Sequence, residues 1–194
     1  MKKVNAGSKK EETRARIVRA AARAIRKHGY EGVGVADVMK EVGLTHGGFY
    51  AHFKSRDALL AAAAEQEGVE SSAHLSRAIA AAKPGQELMA LVDAYLSDGH
   101  VAAPEQGCAI AAAGTEVPRQ QKDVRRAASR RIKDIIGLIE RQFPDWGKGT
   151  AHDKAMGIAA TLVGSVVLAR AADDAQLSRS IRKAARELVR AAAG

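Results

Sequence analysis

The chain has 194 residues, enough for one domain or two small ones with a sizeable core. It carries 31 Lys and Arg against 22 Asp and Glu, a net charge of +9, and its single cysteine excludes an internal disulfide framework or a four-cysteine zinc site. The longest uncharged apolar run, residues 155–169, falls short of the roughly 20 residues a membrane span takes, and no export-signal pattern opens the chain, so a soluble cytoplasmic protein outside the membrane is expected.

Abundant Ala, Arg and Leu with only four prolines predict an all-α fold of about nine helices. The first helix is expected to start within residues 8–12, where Ser8 and Glu11 have capping-box spacing. Ile17, Ala21, Ala24 and Ile25 give it an apolar stripe, and Gly29 ends it. Charge is concentrated here. Residues 1–56 hold 13 basic and 5 acidic side chains, whereas residues 57–194 hold 18 and 17. A nucleic-acid-binding head on a nearly neutral body is the implied arrangement. A basic tail accounts for Lys2, Lys3, Lys9 and Lys10, but Arg14, Arg16, Arg19, Arg23, Arg26 and Lys27 fall on the helix itself.

A second, short helix is expected over residues 35–42, with Gly34 as N-cap, Asp37 in its first turn and Val35, Val38, Met39 and Val42 buried. Gly43 breaks it. A third, over residues 45–53, is anchored by Phe49 and Phe53. Two short helices about a glycine turn have the shape of a helix-turn-helix. The second of them must enter a major groove about 12 Å wide. Gly47 and Gly48 cost a helix roughly 1 kcal/mol each against Ala. They make sense where the backbone approaches a phosphate or base edge. Thr45 can donate its hydroxyl to a phosphate, Tyr50 and His52 lie near the same surface, and Arg56 can pair with a phosphate.

Ser55 caps a long fourth helix that runs to about residue 82, stopped by Lys83-Pro84-Gly85. Residues 87–97 follow with a stripe of Leu88, Leu91, Val92, Tyr95 and Leu96. A connection through Pro104 and Gly107 leads to a small-residue helix over 108–117. A long helix over 121–143 carries Ile132, Ile135, Ile136, Ile139 and Phe143 on one face. Residues 150–171 and 174–193 close the chain as two helices.

The run Gly43-Leu44-Thr45-His46-Gly47-Gly48-Phe49-Tyr50-Ala51-His52-Phe53-Lys54-Ser55-Arg56-Asp57-Ala58-Leu59-Leu60 closely resembles the signature of TetR-family transcriptional regulators. Tyr30-Glu31-Gly32, Val35, Asp37 and Val38 fit upstream, and Gly107-Cys108 with Ala112, Ala113 and Glu116 resembles a ligand-domain motif of one branch of that family. The resemblance implies a three-helix DNA-binding head, residues 1–54, and a helical ligand-binding and dimerisation body, residues 55–194. It implies a homodimeric regulator, usually a repressor, that binds a pseudo-palindromic double-stranded DNA operator and is released by a small-molecule inducer. Carried over, Thr45, His46, Gly47, Tyr50, His52 and Arg56 match the family's DNA-contact positions, and Gly48 and Lys54 are expected beside them on the DNA-binding surface.

Ile158, Leu162, Val163 and Val166, with Ile181 and Leu188 of the last helix, are the expected dimer interface, and Ala160 and Gly164 would let helices approach closely. Met89, Val92, Tyr95, Leu96, Cys108, Ile110 and Phe143 are candidates for lining a mostly aliphatic ligand pocket. Cys108, with no cation beside it in sequence, reads as a small hydrophobe rather than a redox sensor. The six histidines lack metal-ligand spacing, and Gly32-Val33-Gly34 and Gly147-Lys148-Gly149-Thr150 fail as phosphate loops, so no metal and no cofactor are expected. Arg125, Arg126, Arg130, Arg131 and Lys133 read as a solvated helix face. No paired carboxylates and no Ser/His/Asp set call for an enzyme. The alternative is a small helical ligand carrier or enzyme with an incidental basic N-terminus.

Overall fold

The computed structural model describes residues 6–193, among which there are nine α-helices, three 3₁₀ segments and no strand. The all-α expectation is met. Lys2 and Lys3 lie outside the described residues.

Helix α1 spans Ala6–His28, so Ser8 and Glu11 fall inside it rather than at its start. It ends where Gly29, at φ +74°, donates its N–H to the Ile25 carbonyl at 2.8 Å, the single backbone bond of an αL cap. Helix α2 covers Val35–Glu41. Its end is a Schellman motif. The Leu44 N–H reaches the Met39 carbonyl at 2.9 Å, the Gly43 N–H reaches the Lys40 carbonyl at 3.0 Å, and Gly43 takes φ +73°. That left-handed residue makes the turn of the helix-turn-helix.

The expected third helix is a 3₁₀ segment, His46–Ala51, shorter and tighter than a regular α-helix. Two adjacent glycines weaken α-helix formation there, and the Gly48 N–H bonds the Thr45 carbonyl three residues back at 3.1 Å. Helix α3, Arg56–Ala80, starts on Ser55, whose hydroxyl accepts the Ala58 N–H at 3.1 Å.

In the body, α4 spans Glu87–Tyr95. The connection expected after it is partly helical, with α5 at Asp98–Ala102 and a 3₁₀ turn at Pro104–Gln106. The helix expected over 108–117 is split into α6, Ala109–Ala113, and a 3₁₀ segment, Gly114–Arg119, because Pro118 cannot donate to a continuing helix. Helices α7 (Lys122–Glu140), α8 (Gly149–Ala171) and α9 (Ala175–Ala193) complete the chain. Ile132 of α7 is exposed, unlike the rest of its stripe.

Two apolar cores result. One joins Ile17, Ala21 and Ile25 of α1, Val38 and Met39 of α2, Phe49, Phe53, and Leu59, Leu60 and Ala63 of α3. Ala113 and Val124 complete it from the body. The other joins Leu75 of α3 to Leu88, Leu91, Val92, Tyr95 and Leu96, Ile139, Phe143, Ile158, Leu162, Val166 and Val189. Helix α3 therefore belongs to both. By length and composition α8 is apolar enough to cross a membrane, although its uncharged run is still confined to residues 155–169. Its inner face, Ala155, Ile158, Leu162 and Val166, is packed in the body core instead.

Phe49 is 2% exposed and stacks on Phe53 with ring centroids 5.7 Å apart. Phe49→Ala is expected to destabilise the chain by about 3–5 kcal/mol in urea unfolding, because the head core is too small to close the cavity.

Candidate nucleic-acid interface and body cavity

Between α2 and α3 the 3₁₀ segment lies at the surface. Thr45 is its extended N-cap residue, and Thr45, His46, Gly47 and Lys54 are exposed. Tyr50 is 68% exposed, the most open of the large apolar side chains, and its ring stands edge-on to Phe49 at 5.3 Å and to His46 at 6.5 Å. The buried Phe49 thus fixes an outward-facing Tyr50. A Cβ built on Gly47 meets nothing within 4 Å, and one on Gly48 makes only ordinary contacts, 3.7 Å to Met39 Cε and Thr45 Oγ1. Neither glycine has positive φ. Nothing inside the fold requires glycine at either position.

Three of the expected positions differ. Arg56 does not face outward as a free phosphate partner. Its Nε donates to the Val33 carbonyl at 3.0 Å and its Nη2 to the carbonyls of Tyr30 and Glu31, which fixes the loop between α1 and α2. His52 is half-buried, with Nδ1 enclosed and without a hydrogen-bond partner. Gly48 is half-covered by Met39.

The cations of α1 also have internal roles. Arg14 stands over the Phe53 ring at 4.8 Å, Arg16 donates to the Val42 carbonyl at 2.7 Å, and Arg23 pairs with Glu41 at 2.6 Å. Arg26 is 6% exposed and donates to the Glu105 carbonyl of the body at 2.6 Å. Glu116 of the body accepts the Tyr30 N–H at 2.8 Å, and its carboxylate fills the space over Gly29. Head and body are therefore tied at the end of α1. In sequence Arg26 continues the row of Val18 and Ala22 on the buried face of α1, the signal that could have set it apart.

The body holds a cavity of about 300 Å³, lined by His74, Leu75, Ala94, Tyr95, Ser97, Gly99, His100, Ala103, Gln106, Gly107 and Cys108. Tyr95 and Cys108 were expected there. Met89, Val92, Leu96, Ile110 and Phe143 instead pack in or against the body core, where α4 lies against α3 and α9. The lining is more polar than expected and contains no Lys, Arg, Asp or Glu. His100 was missed, since nothing in its spacing marks it. Its Nδ1–H donates to the Tyr95 carbonyl, and its Nε2 accepts the Cys108 N–H at 2.9 Å. These two bonds fix the neutral tautomer. Burial, opposed by the Tyr95 bond and reinforced by the Arg170 cation, holds the His100 pKa below its usual range. Burial, with the Cys108 thiol beside it, pushes the Tyr95 phenol well above its usual value.

The expected dimer set divides. Ile158, Leu162 and Val166 are buried within the chain and cannot form the outer face, while Val163 and Ile181 are half-buried and Leu188 is 59% exposed. The outward apolar side chains are Met156, Val167 and Leu168 of α8 and Leu177 and Leu188 of α9, on two helices packed together. Ala160 is exposed and Gly164 half-exposed on the same side, with nothing within 4 Å of a Cβ on Gly164.

Residues 17–63 match the family described as bacterial regulatory proteins, tetR family. An uncharacterised HTH-type transcriptional regulator of Mycobacterium tuberculosis is 30% identical over 176 residues, covering 83% of this chain and 86% of that protein. A TetR transcriptional regulator from Chloroflexus aurantiacus superposes with a TM-score of 0.77 at 25% identity over 93% of this chain and 96% of that one. The reduced form of NemR from E. coli shares the fold, with a TM-score of 0.78 at 18% identity over 94% and 97% of the two chains.

His100 binds its proton more weakly in the folded chain than a free histidine with its ordinary pKa of 6.5, so the unfolded chain takes up more protons on acidification. The stability linked to His100 is full above that value and falls as the pH drops toward the folded pKa. The stability difference between wild type and His100→Ala in urea is therefore expected to shrink below pH 6.5.

Proposed function

Because the chain belongs to the tetR family of bacterial regulatory proteins and carries its helix-turn-helix, we propose that it is a dimeric repressor released from a pseudo-palindromic operator by a small molecule. The observation that carries the DNA-binding part is the pair of glycines, Gly47 and Gly48, that the fold does not need, beside the outward Tyr50. A bare backbone lets the recognition segment approach a phosphate or base edge more closely than a Cβ allows. Thr45, His46, Tyr50 and Lys54 surround it as donors, with His52 at its rim. Arg56 acts on DNA indirectly, by holding the loop before α2. A head of residues 1–54 and a body of residues 55–194 divide the two tasks, although α3 packs in both cores. The chain works as a regulator rather than an enzyme, in the cytoplasm where its operator lies.

The exposed apolar residues of α8 and α9 support a symmetric four-helix dimer interface. Two heads then meet one face of the duplex about 34 Å apart. The cavity behind α4 supports an uncharged, amphipathic inducer, because no Lys, Arg, Asp or Glu lines it and His100, one of its two histidines, is bonded as the neutral form. Such an inducer releases the operator only if it binds the DNA-incompetent state more tightly.

DNA selected by the wild-type chain from a random library, followed by fluorescence anisotropy across a salt series, tests the reading. Selective binding with a steep salt dependence is expected. Gly47→Ala is expected to leave stability equal or raised by up to about 1 kcal/mol, yet to weaken operator binding about tenfold or more. Unchanged affinity in Gly47→Ala would refute close backbone approach at this site. For the dimer, Leu188→Asp is expected to halve the mass seen by light scattering, whereas a wild-type chain that is already monomeric contradicts the interface.

A further inference from the structure

The irregular strap of residues 96–107 forms one side of the body cavity through Ser97, Gly99, His100, Ala103, Gln106 and Gly107. We propose that this strap transmits occupancy of the cavity to the DNA-binding head through Arg26, an inference that rests on the ligand-responsive reading above. The strap has little freedom to move piecemeal. A Cβ on Gly107 would run into the His100 ring and come within 2.9 Å of Arg170 Nη2. His100 is bonded on both ring nitrogens, to Tyr95 behind it and to Cys108 ahead of it. A group that enters the cavity and displaces His100 or Gly107 therefore carries the adjacent Pro104–Gln106 turn with it.

That turn is held to the head at a buried arginine. Arg26 Nε donates to the Glu105 carbonyl at 2.6 Å, and the guanidinium is only 6% exposed. A buried cation must keep its acceptors, so α1 follows the carbonyl rather than releasing it. One helical turn beyond Arg26 lies Tyr30. Its N–H is bonded to Glu116 and its carbonyl to Arg56, at the head of the loop that leads into α2. Movement at Glu105 thus reaches the element that sets the recognition segment. The competing route is α3, which runs through both cores.

Hydrogen exchange separates the two routes without an inducer. Gly107→Ala pushes on the strap from inside the crowded site, and His100→Ala releases it. Each is made with Arg26 intact and in an Arg26→Met background. With Arg26 present, exchange over residues 29–34 is expected to quicken about tenfold, and affinity for the selected operator to fall about tenfold. In Arg26→Met, either perturbation is expected to stay within residues 96–108. Equal changes over residues 29–34 in both backgrounds would assign the signal to a route other than Arg26, through α3 or Glu116, and overturn the proposal. So would a loosened strap that leaves residues 29–34 unchanged while Arg26 is present. If the wild-type chain selects no DNA, the regulator reading fails, and the exchange results alone decide the role of Arg26.

Discussion

A chain segment that leaves regular structure inside a helical protein must find donors for its carbonyls, and here arginines supply them. Arg182 and Arg186 of α9 both donate to the Leu96 carbonyl, at 3.1 and 2.9 Å. Arg170 of α8 donates to the carbonyls of His100 at 2.6 Å and Val101 at 3.4 Å. Arg26 of α1 donates to that of Glu105. Three helices with different tasks therefore converge on one strap. Two carry the outward apolar face, one belongs to the DNA-binding head, and the strap itself walls the cavity. Guanidinium suits this work because its planar set of donors stays charged even when partly desolvated. Burial lowers the Arg170 pKa from its usual value, but a guanidinium starts so high that it remains protonated.

The same use of arginine explains how far charge could be read from the sequence. The excess of basic residues in the first 56 marked the correct end of the chain. It did not mark the proposed contact surface, because Arg14, Arg16, Arg23, Arg26 and Arg56 all have partners within the protein. The surface was legible instead in the spacing of Gly43, Gly47, Gly48, Phe49, Tyr50 and Phe53. Backbone demands leave their trace in glycine, and alternate burial leaves it in aromatics. The glycines also shortened the recognition helix into a 3₁₀ segment, which a count of apolar periodicity cannot register.

In the body, the stripes of α4 and α7 and the nine-helix count followed from periodicity. The direction each stripe faces did not. Helix α8 is apolar around most of its circumference, so the sequence could not say which half meets its own core. Ile158, Leu162 and Val166 took the inside, leaving Met156, Val167 and Leu168 outside. Likewise, the cavity lies beside a segment that reads as a connection, and its walls are made by His100, Ser97 and Gln106 rather than by apolar stripes. Positions set by long-range carbonyl contacts carry no local pattern, and these are the ones the sequence concealed.

In the proposed function these features meet in a pair of recognition segments presented by a dimer to one face of DNA. Hydroxyl-radical footprinting of the chain on a selected operator tests that picture most directly. The account predicts two symmetric protected windows on one face of the duplex, centred about 34 Å apart. A single window, or uniform protection without a two-fold pattern, would contradict it.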